Sequence, residues 1–131
     1  KDKIKIKTLE LNHPDGAVGY RVECEGKSVC YITDHEHEVG KANKELIDFV
    51  KNSNALIYDS TYDDDEFNDY IGWGHSTWQE GGRLAKKAGV EKFFIFHHSP
   101  DNDDNKMARL EKISKKHKNF FVAKEGMCVN I

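Results

Sequence analysis

The chain has 131 residues, 37% of them hydrophobic and 33% charged, with a formal net charge of −3. This length and composition fit one domain with a core of its own, spanning residues 1–131. The charges are interspersed, and nothing in their balance indicates a nucleic-acid backbone or an anionic membrane as a general partner. No stretch approaches the roughly 20 apolar residues of a membrane span, and no signal peptide is visible.

The first half of the chain is predicted to form three strands and a helix. Residues 3–11 alternate lysine with apolar residues and then become more apolar, which is typical of a strand with one solvent-exposed face. Two further strand-like runs, 18–24 and 28–33, flank the Glu-Gly-Lys turn at 25–27 and indicate a β-hairpin. After the polar loop HEHEVG, residues 41–52 place apolar side chains on one helical face.

The second half alternates strands with helices. Strands are predicted over 54–60, 93–96, 120–123 and 127–131, and helices over 75–89 and 101–119. The acidic segment between the first of these strands and the first of these helices is typical of a long loop or lid. An antiparallel start followed by repeated α-β units predicts an α/β layered domain.

The helix predicted over 75–89 has candidate capping residues at its ends and two glycines of low helix propensity in its middle. Ser76 is a candidate N-cap, and Gly89 is a candidate terminator. The Gly81-Gly82 pair costs roughly 1 kcal/mol per glycine relative to alanine, so this helix must depend on packing for its stability.

The chain contains three cysteines and no CxxC pair. This pattern favours reduced thiols in a cytoplasmic protein. Cys24 and Cys30 flank the predicted hairpin turn, so a cross-strand disulfide between them is the alternative.

Four polar side chains follow apolar, strand-like runs directly: His13, Asp34, Asp59 and His97. Because the carboxyl ends of strands border the ligand crevice in open α/β sheets, these side chains are candidates for one site. Two imidazoles and two carboxylates suit zinc, manganese or iron. Each residue also has a structural alternative: a turn residue for His13, a turn cap for either aspartate, and a core histidine for His97.

The segment GWGHSTW at 72–78 is a sharper signal. Two glycines allow the loop to approach a site closely, and His75 follows them at the start of a helix. The alternative is that His75 is only a residue of the capping region.

The other histidines are predicted to lie outside the ligand set. His98 should point away from His97 along an extended backbone, and so support the site or face solvent. His35, His37 and His117 have charged surroundings and are expected at the surface, although His35 or His37 could line the mouth of the site.

Five ordered segments together carry a family resemblance: HPDGAVGYRVE, VCYITD, IYDSTYDDDEF, GWGHSTWQEGGRLAKKAGV and FFIFHHSP. In combination they resemble the C-terminal half of a metallo-β-lactamase-fold hydrolase, in the branch that contains ribonuclease Z and small phosphodiesterases. The resemblance implies half of a four-layer αββα sandwich, with a mixed sheet and helices on one face. It also implies a metal-activated water that attacks a phosphodiester or similar ester.

The resemblance also implies roles for individual residues. His13, Asp34 and His97 would be metal ligands, with the aspartate bridging two divalent ions, zinc first and manganese or iron as alternatives. His75 would lie beside the substrate phosphate and assist catalysis. Asp59 would support the site from behind rather than bind metal.

One departure from the family is large, because its HxHxDH signature does not occur in these 131 residues. A chain that begins with Lys1 suggests a fragment or a processed chain. We therefore expect this chain to be inactive alone and to need an N-terminal half or a partner chain, with a homodimer as a further option. The alternative functions are a non-catalytic interaction or regulatory half-domain and, in a third class, a phospho-acceptor receiver domain.

Overall fold

A six-stranded mixed sheet forms the centre of the fold in the computed structural model, which describes residues 3–131. The strands follow sequence order across the sheet: β1 (Lys5–Leu11), β2 (Ala17–Cys24), β3 (Lys27–Ile32), β4 (Ala55–Asp59), β5 (Lys92–Phe96) and β6 (Phe120–Val122). β1 to β3 are antiparallel neighbours, whereas β3 to β6 are parallel. The antiparallel start does not fit a receiver domain, which alternates strands and helices throughout.

Three α-helices and one 3₁₀ turn connect the parallel strands: α1 (Lys44–Val50), the 3₁₀ turn (Phe67–Tyr70), α2 (Trp78–Ala88) and α3 (Asp104–Ser114). Gly89 ends α2 with a left-handed φ of 69°, as predicted. The predicted N-cap is wrong by one residue, because the Thr77 side chain accepts the Glu80 amide while the Ser76 hydroxyl contacts other side chains.

The helices cover one face of the sheet. Alternate residues of the strands are buried against apolar residues of α1, α2 and α3 in a single core: Cys30, Ile32, Leu56, Tyr58, Phe93, Ile95, Phe120 and Val122. On the opposite face, Val18, Tyr20, Val22 and Tyr31 are between 37% and 46% exposed. The predicted α/β class, with a mixed sheet and helices on one face, is confirmed.

The strand predicted at the C-terminal end is wrong. Residues 127–131 form no strand, and the sheet ends at β6, which is followed by a turn that contains Gly126. Cys24 and Cys30 are free thiols, the state that the sequence favoured over a disulfide, and Cys30 lies opposite Arg21 in the β2–β3 register and not opposite Cys24. Within the part of the chain that the structure describes, no helix has the length and hydropathy needed to cross a bilayer.

The glycine pair in α2 allows the helix to pack closely on the sheet. A Cβ at Gly81 would lie 2.6 Å from both Phe93 Cζ and Tyr58 Cδ1, and a Cβ at Gly82 would lie 2.8 Å from Phe120 Cε2. The stability lost through low helix propensity is therefore offset by close contact with aromatic rings, as the sequence requires.

Replacing Gly81 by alanine should lower the free energy of unfolding by about 2 kcal/mol, although alanine is the better helix former. The added methyl group must displace the rings of Phe93 and Tyr58 in a closely packed core. Urea denaturation measures the change, and Lys87→Ala on the exposed side of the same helix is the control. An unchanged or raised stability in Gly81→Ala would contradict the packing argument.

Candidate metal centre

The predicted site residues lie at one edge of the sheet. β3, β4 and β5 are parallel and end just before Asp34, at Asp59 and just before His97, so these three residues meet at the carboxyl edge. β1 runs in the same direction as β3, because both are antiparallel to β2, and this brings His13 to the same edge. His75 reaches it from the loop that precedes α2.

Asp59 is the buried centre of the cluster, with no exposed surface. One carboxylate oxygen, Oδ2, accepts hydrogen bonds from His75 Nδ1 at 3.0 Å and from the amides of Asp34 at 2.9 Å and His35 at 3.3 Å. The other, Oδ1, accepts from the hydroxyl of Thr61 at 2.9 Å and from the amides of Thr61 at 3.3 Å and Ser76 at 3.2 Å. A carboxylate with this many donors has little capacity left for a metal ion.

Asp59 also orients two imidazole rings. Its Oδ2 lies 3.0 Å from Nδ1 of His75 and 3.4 Å from Nδ1 of His97. Burial alone would raise the pKa of Asp59, but the hydrogen bond from His75 and the nearby His97 lower it below its ordinary value. The hydrogen bond to Asp59 in turn raises the pKa of His75, against the effect of partial burial. His75 thus donates Nδ1 to the buried carboxylate, whereas Nδ1 of His97 lies 3.4 Å from it and has the Thr61 hydroxyl, at 3.2 Å, as its hydrogen-bond partner.

Asp34 and His97 share an uncommon backbone geometry just beyond their strands. Their φ angles are 58° and 63°, a left-handed region that non-glycine residues adopt infrequently and that often marks functional sites. His97 Nε2 lies 3.6 Å from Asp34 Oδ1. Two ligands that are each about 2.1 Å from one zinc ion have a separation of this order, so the pair fits a shared ion.

The candidate ligand atoms form two overlapping groups, each within 4.8 Å. One joins His13, Asp34 and His75, and the other joins Asp59, His75 and His97. The predicted ligand His13 therefore shares a group with Asp34, whereas the predicted ligand His97 shares a group with Asp59. His75 belongs to both groups. A bridging carboxylate between two ions is compatible with this arrangement.

His13 has a local contact that a metal would replace. Its Nδ1 accepts a hydrogen bond from the amide of Asp15 at 3.2 Å. Binding through Nδ1 would displace that donor, and binding through Nε2 would require a proton on Nδ1, so either mode removes the contact. Gly74 packs directly over this ring, and a Cβ there would overlap it.

The loop after Asp34 is buried more deeply than the sequence suggested. His35 is only 2% exposed, and its Nδ1 has no hydrogen-bond partner among the described residues, so its predicted surface position is wrong. His37 is half-buried; its Nδ1 lies 2.7 Å from the Ser76 hydroxyl, and its ring stacks on Phe67 with centroids 4.1 Å apart. The sequence contained one indication that these histidines lie near the site: the HEH segment directly follows the aspartate at the end of a strand.

His98 is half-buried, and both of its ring nitrogens are buried without hydrogen-bond partners among the described residues. Its polar atoms therefore do not face solvent, which was one of the two predicted options. Burial lowers the pKa of His98 and favours the neutral ring.

The buried His35 ring should make the fold sensitive to acid. Burial lowers the pKa of His35 to about 4. Between pH 6.5 and 4 the unfolded chain binds a proton that the folded chain does not, so stability is present above this range and is lost as the pH falls. The expected loss is on the order of 3 kcal/mol.

Urea denaturation at pH 7 and at pH 4.5 measures this loss. His35→Phe removes the titrating ring and should reduce the difference between the two pH values. His117→Phe replaces a partly exposed histidine and should leave the difference as in the wild type. An equal acid loss in the wild type and in His35→Phe would contradict the assignment to His35.

A cavity of about 910 Å³ elsewhere in the structure does not coincide with this cluster. It lies on the helix side, between the loop after β3 and the helices α1 and α2. Its lining does not include His13, Asp34, His75 or His97. We assign the chemistry to the open edge of the sheet, because the imidazoles and carboxylates converge there.

The comparison with protein families decides which group the chain belongs to. A family model described as "Beta-lactamase superfamily domain" matches residues 2–98 of the 131. The chain belongs to the β-lactamase superfamily. The predicted resemblance to metallo-β-lactamase-fold hydrolases is thereby confirmed.

A curated relative of this β-lactamase superfamily chain is ribonuclease Z from Clostridium kluyveri. It is 34% identical over 92 residues, which cover 70% of this chain and 28% of that protein. The chain therefore spans well under half the length of this relative.

Solved structures show the same fold. The short form of human tRNase Z matches with a TM-score of 0.73 and 19% identity, over 98% of this chain and 44% of that one. Zn²⁺-bound PqqB from Methylobacterium extorquens matches with a TM-score of 0.65 and 16% identity, over 98% of this chain and 50% of that one. This β-lactamase superfamily chain thus corresponds to about half of each of these structures.

Proposed function

We propose that residues 1–131 act as one unit that supplies half of the catalytic centre of a metal-dependent hydrolase, which cleaves a phosphodiester or a similar ester. The observation that carries the proposal is the buried Asp59 carboxylate, which bonds Nδ1 of His75 and lies 3.4 Å from Nδ1 of His97, whose Nε2 is beside Asp34. The names of the curated ribonuclease Z relatives favour a phosphodiester substrate. These observations favour an enzyme over a non-catalytic half-domain.

His13, Asp34 and His97 would hold the metal, with Asp34 as the ligand shared by two divalent ions. The mixed imidazole and carboxylate set suits zinc, with manganese and iron as alternatives. When bound, two such ions supply an activated water at neutral pH and neutralise negative charge on the substrate oxygens. Three residues are too few for two ions, so the remaining ligands would come from an HxHxDH segment outside this sequence.

His75 would donate a hydrogen bond or a proton to the leaving group. Its Nδ1 is fixed by Asp59, and this contact raises the pKa of the imidazole, so a larger fraction of the ring is protonated near neutral pH. A protonated ring donates a hydrogen bond or a proton to the leaving oxygen, which is general acid catalysis. Asp59 acts through His75 and His97 by fixing their orientation.

An aromatic wall beside His75 suggests how a nucleotide substrate would bind. Tyr62 and Tyr70 stack with centroids 4.2 Å apart, and Trp73 packs edge-on against Tyr70 at 5.8 Å. Trp73 is 62% exposed, so its indole is accessible to a planar group. We propose a nucleobase there, in a small or polymeric phosphodiester substrate, because bases stack on exposed aromatic side chains.

The apolar sheet face opposite the helices would receive the second half of the sandwich. Val18, Tyr20, Val22 and Tyr31 give this face an exposed apolar surface that a second sheet would cover. The covering half would be an N-terminal segment of the same protein or a partner chain, with a second copy of this chain as the alternative.

The free cysteines suit a reducing compartment, and we propose a cytoplasmic location.

Metal content tests the proposal most directly. In the complete protein, Asp34→Ala and His97→Ala should each remove at least half of the bound zinc measured by elemental analysis, because each variant lacks a ligand. His117→Ala, a histidine remote from the cluster in the sequence, should retain it. If all three variants keep full zinc content, the ligand assignment is wrong; a complete protein that binds zinc but cleaves no ester would instead favour the non-catalytic alternative.

A further inference from the structure

The acidic residue in the HEH segment holds the loop that carries His75. One carboxylate oxygen of Glu36, Oε2, accepts the backbone amides of Gly72 at 2.8 Å and Gly74 at 2.9 Å. These two glycines flank Trp73 and have φ angles of 93° and 86°. Such a loop has unusual backbone freedom, and fixing it costs conformational entropy.

The main chain of Glu36 is itself fixed to the strand end that carries His13. The Glu36 amide donates to the Asn12 carbonyl at 2.8 Å, and the Asn12 side chain donates to the Glu36 carbonyl at 2.9 Å. Glu36 therefore joins the residue before one predicted ligand to the loop beside His75. Gly74, packed over the His13 ring, lies between them.

His37 makes a second connection to the same loop. Its Nδ1 lies 2.7 Å from the Ser76 hydroxyl, which also lies 3.0 Å from the Tyr58 hydroxyl. The Ser76 amide donates to Asp59 Oδ1 at 3.2 Å. The residues on both sides of His75 are thus held by the HEH segment, at Gly74 through Glu36 and at Ser76 through His37.

We propose that Glu36 is a positioning residue, which fixes the Gly72–Gly74 loop so that His75 and Trp73 keep their places at the edge of the metal centre. The inference rests on the proposed function and extends it to a residue outside the candidate ligand groups. Hydrogen bonds from amides to a charged carboxylate are about twice as strong as neutral ones, and both are lost in a single side-chain truncation. Gly72 is exposed and Gly74 is buried, so the carboxylate replaces water as the partner of the first amide and satisfies a buried donor at the second.

The first experiment measures how firmly the loop is held, from the rates of amide hydrogen exchange of Gly72 and Gly74 in the complete protein. Glu36→Ala should accelerate exchange of both amides about tenfold or more. Glu36→Gln keeps a carbonyl oxygen at the same reach and should restore most of the protection. Glu38→Ala is the matched control, because Glu38 is a nearby acidic residue that pairs with the exposed Lys41 and contacts neither glycine.

The second experiment separates positioning from general stability. Glu36→Ala should lower kcat about tenfold with zinc content unchanged, and Glu36→Gln should recover most of that loss. The proposal is overturned by unchanged Gly72 and Gly74 exchange in Glu36→Ala, or by a kcat loss of the same size in Glu38→Ala. If Glu36→Ala does not fold, Glu36→Asp, which is one methylene shorter, must show the accelerated exchange.

The two proposals fail in different ways. A zinc-loaded complete protein without hydrolase activity would refute the proposed function, yet the exchange of the glycine amides would still decide whether Glu36 holds the loop. Normal activity with unaffected kcat in a Glu36→Ala variant whose loop exchanges faster would refute positioning while leaving the hydrolase assignment intact.

Discussion

Replacing His75 by alanine should lower kcat of the complete hydrolase by roughly a hundred- to ten-thousand-fold and leave its zinc content unchanged. The alanine variant lacks the imidazole that we place at the leaving oxygen, but it retains His13, Asp34 and His97. Asp59 keeps its contacts with His97, Thr61 and the loop amides, so the ligand cluster should remain organised. Steady-state kinetics beside elemental analysis on the same preparation measures both quantities.

The geometry also allows a different role for His75, as a ligand of the metal. His75 lies within 4.8 Å of ligand atoms of His13 and Asp34, so it could itself bind an ion. In that case His75→Ala would lose zinc together with rate, and added zinc would restore part of the activity. His117→Ala should change neither quantity, and a His75→Ala enzyme with full activity would show that the ring has no part in the reaction.

Much of the candidate site could be predicted from the sequence because strand ends of parallel strands meet at one edge. Asp34, Asp59 and His97 each follow an apolar run, and the parallel pairing of β3, β4 and β5 brings them together. His13 was a candidate because it also follows a strand-like run, and the structure adds the antiparallel pairing of β1 with β2 that gives β1 the direction of β3. Local periodicity was sufficient for these placements.

The contacts that organise the site were beyond such reasoning. Glu36 reaches Gly72 and Gly74 across 36 and 38 residues of sequence, and His37 reaches Ser76 across 39. No pattern within either segment indicates this partnership, because a charged tripeptide in a loop is more often solvent-exposed. The buried state of His35 has the same origin, since long-range packing determines it.

The N-cap of α2 is another feature that tertiary contacts decide and that the local sequence did not predict. Ser76 and Thr77 are both suitable caps by residue type, and serine is the more favoured of the two. The tertiary contacts of the Ser76 hydroxyl with Tyr58 and His37 leave Thr77 as the residue that accepts the Glu80 amide. A hydrogen-bond partner from elsewhere in the fold thus decides between two adjacent residues.

Replacing Asp59 by asparagine should have the largest effect on the fold and on the site together. The change preserves side-chain shape but replaces one acceptor oxygen by an NH₂ group that faces donors. Leaving buried donors unsatisfied costs roughly 1–3 kcal/mol each, so the free energy of unfolding should fall by about 3 kcal/mol. The rings of His75 and His97 also lose their common anchor, and zinc affinity should fall about ten- to a hundredfold.

Urea denaturation of the metal-free protein isolates the stability effect, and competition with a zinc chelator measures the affinity. Asp65→Asn makes the same chemical change at an exposed carboxylate and should alter stability by no more than about 0.5 kcal/mol. A loss of zinc affinity without destabilisation of the metal-free protein would mean that Asp59 binds the ion itself. A destabilised protein with normal zinc affinity would mean that the imidazoles are held in place by other groups, and the central role of this carboxylate in the site would have to be abandoned.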